Sequence, residues 1–121
     1  MTDRVFTLGE ARALLPEVRL HIDAIIAARA DLAELAFDLR AGRSSPLGGT
    51  PELKAYEARI DEAIGWFTIQ GIEVKGVAPV LVDFPAYLRG ESIRLCLLET
   101  ESALTWYHRA DLGFAGRRRL P

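Results

Sequence analysis

The sequence predicts one α+β domain over residues 1–121, in which a long antiparallel helical hairpin packs on a small antiparallel sheet of three to four strands. Two observations predict this class. Residues 7–71 carry helical patterns of apolar residues on either side of a loop at 42–50. Residues 72–121 are richer in β-branched and aromatic residues with interspersed glycines, which is typical of a β-meander followed by a C-terminal tail.

The first helical segment has a defined start and an internal break. Thr7 and Glu10 have the spacing of a capping box, in which each side chain binds a free backbone N–H of the first turn. Pro16 interrupts the pattern, because proline is tolerated in a first turn but not in a helix interior. We therefore expect a short helix to about Leu14 and a long helix from Pro16 to about Ala41.

The second long helix should begin at Thr50–Pro51, where a capping residue precedes a proline at the first helical position. It should end at Gly71, because glycine accepts the left-handed backbone that often closes a helix. Since a short loop joins the two long helices, we expect them to pair antiparallel, in the manner of a short coiled coil.

The last part of the chain contains four segments with strand character. Ile93 and Leu95 stand at alternate positions of one segment and should share a face. Pro85 should end the second segment, because proline has no N–H to donate, and Gly90 suits the turn that follows. The four expected strands cover residues 72–75, 79–84, 92–98 and 103–108.

Composition and charge exclude several classes of protein. Half of the residues are apolar, 26% are charged, and the net charge is −2, as in ordinary soluble domains. No apolar run approaches the roughly 20 residues of a membrane span, and no secretory signal is visible at the start. A single cysteine forms no internal disulfide, so we expect a cytoplasmic protein. The slightly acidic balance disfavours nucleic acid as a partner.

Arg29 is the most unusual residue of the long helix, because it falls in the middle of the apolar stripe. A buried guanidinium needs a carboxylate or several carbonyls as partners. Three interpretations stay open. In the first, its aliphatic chain packs while its guanidinium reaches solvent at the edge of the hairpin. In the second, the guanidinium points towards acidic groups on the sheet. In the third, the residue lies at a subunit interface.

Asp83 interrupts an apolar strand, and Cys96 and His108 lie on neighbouring expected strands. Asp83 is either on the solvent face of an edge strand that ends at Pro85, or a ligand or general base. The three residue types together suit zinc or another divalent metal, although no compact metal-binding spacing is present. Cys96 is otherwise a small buried hydrophobe or a nucleophile paired with His108. No motif for another cofactor is present.

A polar pocket between the hairpin and the sheet is a second hypothesis about these residues. Two arginines among its candidate residues would suit an anionic ligand. Phe114, which lies between two glycines near the basic C-terminal end, is expected to dock and to position Arg117. The candidate ligand-binding residues are Arg29, Asp83, Glu101, His108 and Arg117.

Several motifs together resemble the DUF2203 family, small bacterial proteins of unknown function. They are, in order, FTLGEARALLPEVR, VDFPA, LCLLETES, WYH and GFAGRR. The pattern of that family has a tryptophan after the cysteine, where this chain has Leu97, and Gly-Glu in the next turn, where this chain has Thr100–Glu101. The resemblance implies no established activity, but its motifs concentrate in the second half of the chain. The residues that match the pattern are Asp83, Cys96, Glu101, His108, Gly113, Phe114, Gly116 and Arg117.

Three functions are consistent with the sequence. The wide apolar stripe of the hairpin favours a non-enzymatic interaction or scaffold module that forms a homodimer through its helices. The polar residues of the second half favour a protein that binds a small anion or a metal. A hydrolase that uses Asp83 or His108 as a base is the third hypothesis, and no motif assigns it a reaction class.

Overall fold

The computed structural model describes residues 3–121, and it consists of three α-helices followed by an antiparallel sheet. Its α+β class confirms the sequence prediction. No helix of the described residues has the length and apolar character that a membrane crossing needs. The helices are α1 (Leu8–Ala13), α2 (Leu15–Arg40) and α3 (Thr50–Gln70), and the strands are β1 (Glu73–Val77), β2 (Val80–Leu88), β3 (Glu91–Leu98), β4 (Trp106–Arg109) and β5 (Arg118–Arg119).

The helix ends follow the local signals of the sequence. Thr7 and Glu10 form the expected capping box, and the break at Leu14 separates α1 from α2. The cap of α3 is Gly49 rather than Thr50, because Gly49 has an extended backbone and Thr50 is already the first helical residue. The backbone N–H of Gly49 donates to the Glu52 carboxylate at 2.8 Å. Gly71 ends α3 with a φ of 81°, in the left-handed region that glycine tolerates.

The core lies between the helical hairpin and one face of the sheet. Val18, Ile22 and Phe67 supply the helical side of it, and Val82 and Phe84 supply part of the sheet side. Side chains alternate across a strand, so Asp83, between Val82 and Phe84, points to the opposite face. The α-helices therefore cover only one face of the sheet, and the other face carries the polar residues discussed below.

The sheet has five strands in sequential order, one more than the upper end of the predicted three to four strands. The additional strand, β5, pairs with β4 through Trp106 and Arg119. The sequence pattern does not predict β5, because two consecutive arginines have no apolar alternation. What we expected to be a C-terminal tail therefore returns to the sheet.

The expectation that β2 ends at Pro85 is wrong. β2 continues to Leu88 and lies between β1 and β3, so it is not an edge strand. The pairing of β1 with β2 extends only as far as Asp83. Beyond it, the Pro85 carbonyl accepts a hydrogen bond of 2.7 Å from the backbone N–H of Phe6. Because β1 no longer pairs with β2 at Pro85, the missing N–H of proline does not remove a hydrogen bond between these strands.

Candidate metal site on the free face of the sheet

Three polar side chains meet on the sheet face that the helices do not cover. Asp83 pairs directly with Cys96 across β2 and β3, and His108 lies on β4, the next strand. One ligand atom of each residue lies within 4.8 Å of the other two. Asp83, Cys96 and His108 are only 2%, 0% and 4% exposed. The structure thus brings together the three residues that the sequence suggested as metal ligands.

Both ring nitrogens of His108 face hydrogen-bond acceptors. Nδ1 lies 2.7 Å from the backbone carbonyl of Arg109, and Nε2 lies 3.0 Å from Oδ2 of Asp83. A carbonyl oxygen only accepts, so Nδ1 carries a hydrogen and donates it. For the contact between Nε2 and Oδ2 to be a hydrogen bond, one of these two atoms must carry a second proton. Meanwhile Oδ1 of Asp83 is buried and has no hydrogen-bond partner in the described residues.

The Cys96 thiol is held in its protonated form. Burial, with the nearby Asp83 carboxylate as the second cause, raises the pKa of the thiol to about 12. A nucleophilic cysteine needs a lowered pKa, so the arrangement disfavours the hypothesis of a Cys96 nucleophile paired with His108. A metal ion, in contrast, displaces the thiol proton when it binds, and its own charge favours the thiolate.

A cavity of about 290 Å³ lies beside the cluster. Asp83 and His108 form part of its wall, whereas Cys96 does not line it. The other lining side chains are of two kinds, charged groups of β1 and β3 and apolar groups from β2 and the C-terminal segment. The charged ones are Glu73, Lys75 and Arg94, and the main apolar ones are Leu81, Leu112 and Phe114.

Arg117 and Glu101 lie next to the cluster without belonging to it. One Nη atom of Arg117 donates to Oε1 of Glu101 at 2.5 Å and to the backbone carbonyl of Cys96 at 3.1 Å. The guanidinium lies between the rings of Trp106 and Phe114, at 4.9 and 4.8 Å from their centroids. Phe114 was expected to dock and to position Arg117; its ring contacts the Arg117 guanidinium, but the residue remains 46% exposed. Arg117 thereby fixes the C-terminal segment over the strand that carries Cys96.

Arg29 lies apart from this cluster. Its guanidinium makes two hydrogen bonds of 2.6 and 2.9 Å to the Glu99 carboxylate and a third, of 2.7 Å, to the carbonyl of Val77. It therefore points towards an acidic group in the loop that follows β3, which is nearest to the second of the three interpretations left open. Arg29 is not part of the cavity wall, and Asp83 and His108 lie on the sheet face away from the hairpin. The five candidate residues thus do not converge in a pocket between hairpin and sheet.

Sequence reasoning missed residues on both sides of the sheet. Arg19 donates to the carbonyls of Glu99 and Glu101, and Arg12 donates to the carbonyl of Leu104. These arginines tie the loop between β3 and β4 to the helices. Arg94, in the cavity wall, stands two residues before Cys96 and on the same strand face. The alternation of side chains along β3 was the signal that would have identified Arg94 as a neighbour of Cys96.

Glu99 is expected to make the protein sensitive to acid. Hydrogen bonds from Arg29 and from the Val80 backbone lower the pKa of Glu99 to about 2. A lowered pKa stabilises the fold above the pKa of the unfolded chain, and this stabilisation disappears as the pH falls through the folded value. We expect Glu99→Gln to lose less stability than the parent between about pH 5 and pH 2, as measured by urea unfolding. Parallel pH profiles would contradict this role of Glu99.

Comparison with known proteins agrees with the motifs noted in the sequence. A family model described as "Uncharacterized conserved protein (DUF2203)" matches residues 4–120, nearly the whole chain. No curated protein and no solved structure matches the chain.

Proposed function

The chain belongs to the DUF2203 family, and we propose that it is a metal-binding protein in which Asp83, Cys96 and His108 hold a divalent transition-metal ion. The observation that carries this proposal is the approach of three buried ligand atoms to within 4.8 Å of one another. A carboxylate oxygen, a thiolate sulfur and an imidazole nitrogen form a donor set that zinc accepts. Zinc is therefore the metal that we propose.

The hydrogen bonds around the cluster support this proposal. A histidine that binds a metal through one nitrogen commonly donates the N–H of the other to a carbonyl or carboxylate. The contact of His108 Nδ1 with the Arg109 carbonyl supplies this arrangement and leaves Nε2 facing Asp83. A metal ion would take the place of the proton between Nε2 and Oδ2. It would also give the partnerless Oδ1 of Asp83 a positive charge to interact with.

Titration with Co²⁺ tests the proposal. Protein prepared without a metal-affinity tag and stripped with a chelator should bind one equivalent and develop the near-ultraviolet charge-transfer band of a thiolate bound to Co²⁺. Cys96→Ser should remove this band, and His108→Gln should weaken binding by about tenfold or more. Zinc should compete with Co²⁺ and raise the melting temperature, because a ligand that binds only the folded state stabilises it.

Matched variants make the titration specific. The chain has two histidines, and His21 is stacked on Trp66, away from the cluster. His21→Gln should therefore bind Co²⁺ as the parent does. Circular dichroism of each variant separates loss of a ligand from loss of the fold. Absence of stoichiometric binding, or a charge-transfer band that persists in Cys96→Ser, would refute the proposal.

Self-association through the hairpin is a second candidate function, supported by an apolar groove between α2 and α3. Ile69, which is 84% exposed, lines the groove. Leu20, which is 69% exposed, stands one turn of α2 before Ala24, a residue of the groove wall. Arg59 and Glu62 also line it, so a second copy related by two-fold symmetry can pair unlike charges. Light scattering should then give the mass of a dimer for the parent and of a monomer for Ile69→Lys. A monomeric parent at high concentration would rule this candidate out.

A further inference from the structure

We infer that the metal site has a subsite for a small organic anion, formed by the cavity beside Asp83 and His108. This inference rests on the proposed function, because the ion would supply one of the contacts. A zinc site with three protein ligands keeps a fourth position open for water or substrate. Asp83 and His108 line the cavity while Cys96 does not, so the open side of such an ion faces this space.

The part of the cavity wall formed by Glu73, Lys75 and Arg94 carries two cations and one carboxylate, whereas the Asp83 carboxylate would be neutralised by the ion that it holds. Arg94 donates through Nε to Oε1 of Glu73 at 3.0 Å, and Lys75 approaches the same oxygen at 3.3 Å. Two cations thus share one carboxylate. The Arg94 guanidinium makes one further contact, from Nη1 to the carbonyl of Ile93 at 3.1 Å. This wall suits a second, external carboxylate or phosphate group, because guanidinium and ammonium groups bind such anions through charge-assisted hydrogen bonds.

Another part of the cavity wall is apolar. Leu81 comes from β2, and Leu112 and Phe114 come from the segment that Arg117 fixes in place. Leu112 and Phe114 are each 46% exposed, so both offer apolar surface that a ligand can cover. The volume of about 290 Å³ is just below the roughly 300 Å³ at which ligand pockets usually start. These features together select a small molecule with one anionic group and one apolar group.

Spectroscopy of the protein loaded with Co²⁺ tests this subsite, with benzoate as the probe. Benzoate combines a carboxylate with an apolar ring, acetate has the charge alone, and benzamide has the ring alone. Benzoate should shift the visible Co²⁺ bands at a lower concentration than acetate, and benzamide should have the smallest effect. This order follows from the pairing of a charged wall with an apolar wall.

Variants of the charged wall separate the subsite from the metal site. Arg94→Gln should weaken the binding of benzoate about tenfold or more, because a hydrogen bond between charged groups is lost. Lys75→Gln, at a more exposed position, should weaken it less. Both should bind Co²⁺ as tightly as the parent. Arg89→Gln, in the turn between β2 and β3 and outside this cavity, is the matched control and should leave both affinities unchanged.

The outcomes distinguish the two proposals. If Co²⁺ binds to the cluster but benzoate leaves its spectrum unchanged, the subsite is refuted and the metal site stands. If benzoate binds equally well to the parent and to Arg94→Gln, the assignment of the charged wall is refuted. If Co²⁺ does not bind at all, the proposed function fails, and the subsite fails with it.

Discussion

Replacing Asp83 by alanine in the metal-free protein is expected to lower the free energy of unfolding by about 3 kcal/mol or more. The reason is the position of Asp83, which is 2% exposed and lies 3.0 Å from Nε2 of His108. Without the carboxylate, the imidazole remains buried with one nitrogen facing no acceptor. Breaking a buried pair from one side is costly, because the remaining group stays desolvated and unpartnered. Urea unfolding of chelator-treated protein measures this loss.

A double variant tests whether the pair of Asp83 and His108 stabilises the fold. Asp83→Val combined with His108→Leu removes both polar groups, and it should be nearly as stable as the parent or more stable. Cys96→Ala, which removes a neighbouring buried side chain without breaking a pair, should cost about 1 kcal/mol. If the double variant is less stable than Asp83→Ala, the pair itself stabilises the fold. If the double variant instead regains the stability of the parent, this result supports a role for Asp83 and His108 in binding.

Replacing Arg117 by alanine should also cost about 3 kcal/mol of unfolding free energy. Its side chain is only 10% exposed and is paired with Glu101. It also donates to the Cys96 carbonyl and lies between the rings of Trp106 and Phe114. The truncation therefore leaves a half-buried carboxylate without its cation and removes two cation–π contacts. It also removes the contact that holds the C-terminal segment against the sheet.

The neighbouring arginine provides the matched control for this variant. Arg118 is exposed in β5, so Arg118→Ala should change stability by less than about 0.5 kcal/mol. Arg117→Lys keeps the charge but not the planar guanidinium, and it should fall between Arg117→Ala and the parent. Chemical unfolding followed by tryptophan fluorescence measures all three, since Trp106 contacts the replaced side chain. Equal stabilities of Arg117→Ala and Arg118→Ala would contradict the role given to Arg117.

The helices were predictable to within one or two residues because their signals are local. The capping box at Thr7 and the glycine at Gly71 each depend on residues within a turn of the chain. Strand boundaries were less predictable, as Pro85 shows. Whether proline ends a strand depends on which neighbour faces its missing N–H. At Pro85 the backbone beside this edge of β2 is that of Phe6, whose N–H binds the Pro85 carbonyl; Phe6 is about 80 residues away along the chain, so no local pattern contains it.

The site was predictable in its residues but not in its position. Asp83, Cys96 and His108 were recognised as metal-ligand types, and the strand register brings them together. Arg29 was grouped with them for its place in the apolar stripe, and Glu101 as a polar residue that matches the family pattern. The structure gives these two other partners, Glu99 for Arg29 and Arg117 for Glu101. Charge and residue type indicate that a partner is needed, but they do not identify it.

The sequence by itself determined the α+β class, the order of the helices and of the first four strands, and three residues whose side-chain types suit a metal. These properties follow from short-range periodicity, capping and side-chain chemistry, which are all contained in neighbouring residues. The tertiary structure decided which sheet face carries the polar cluster, which of the arginines line the cavity, and that the C-terminal end returns as β5. These properties depend on strand register, and register is set by the burial of one whole face against the helices.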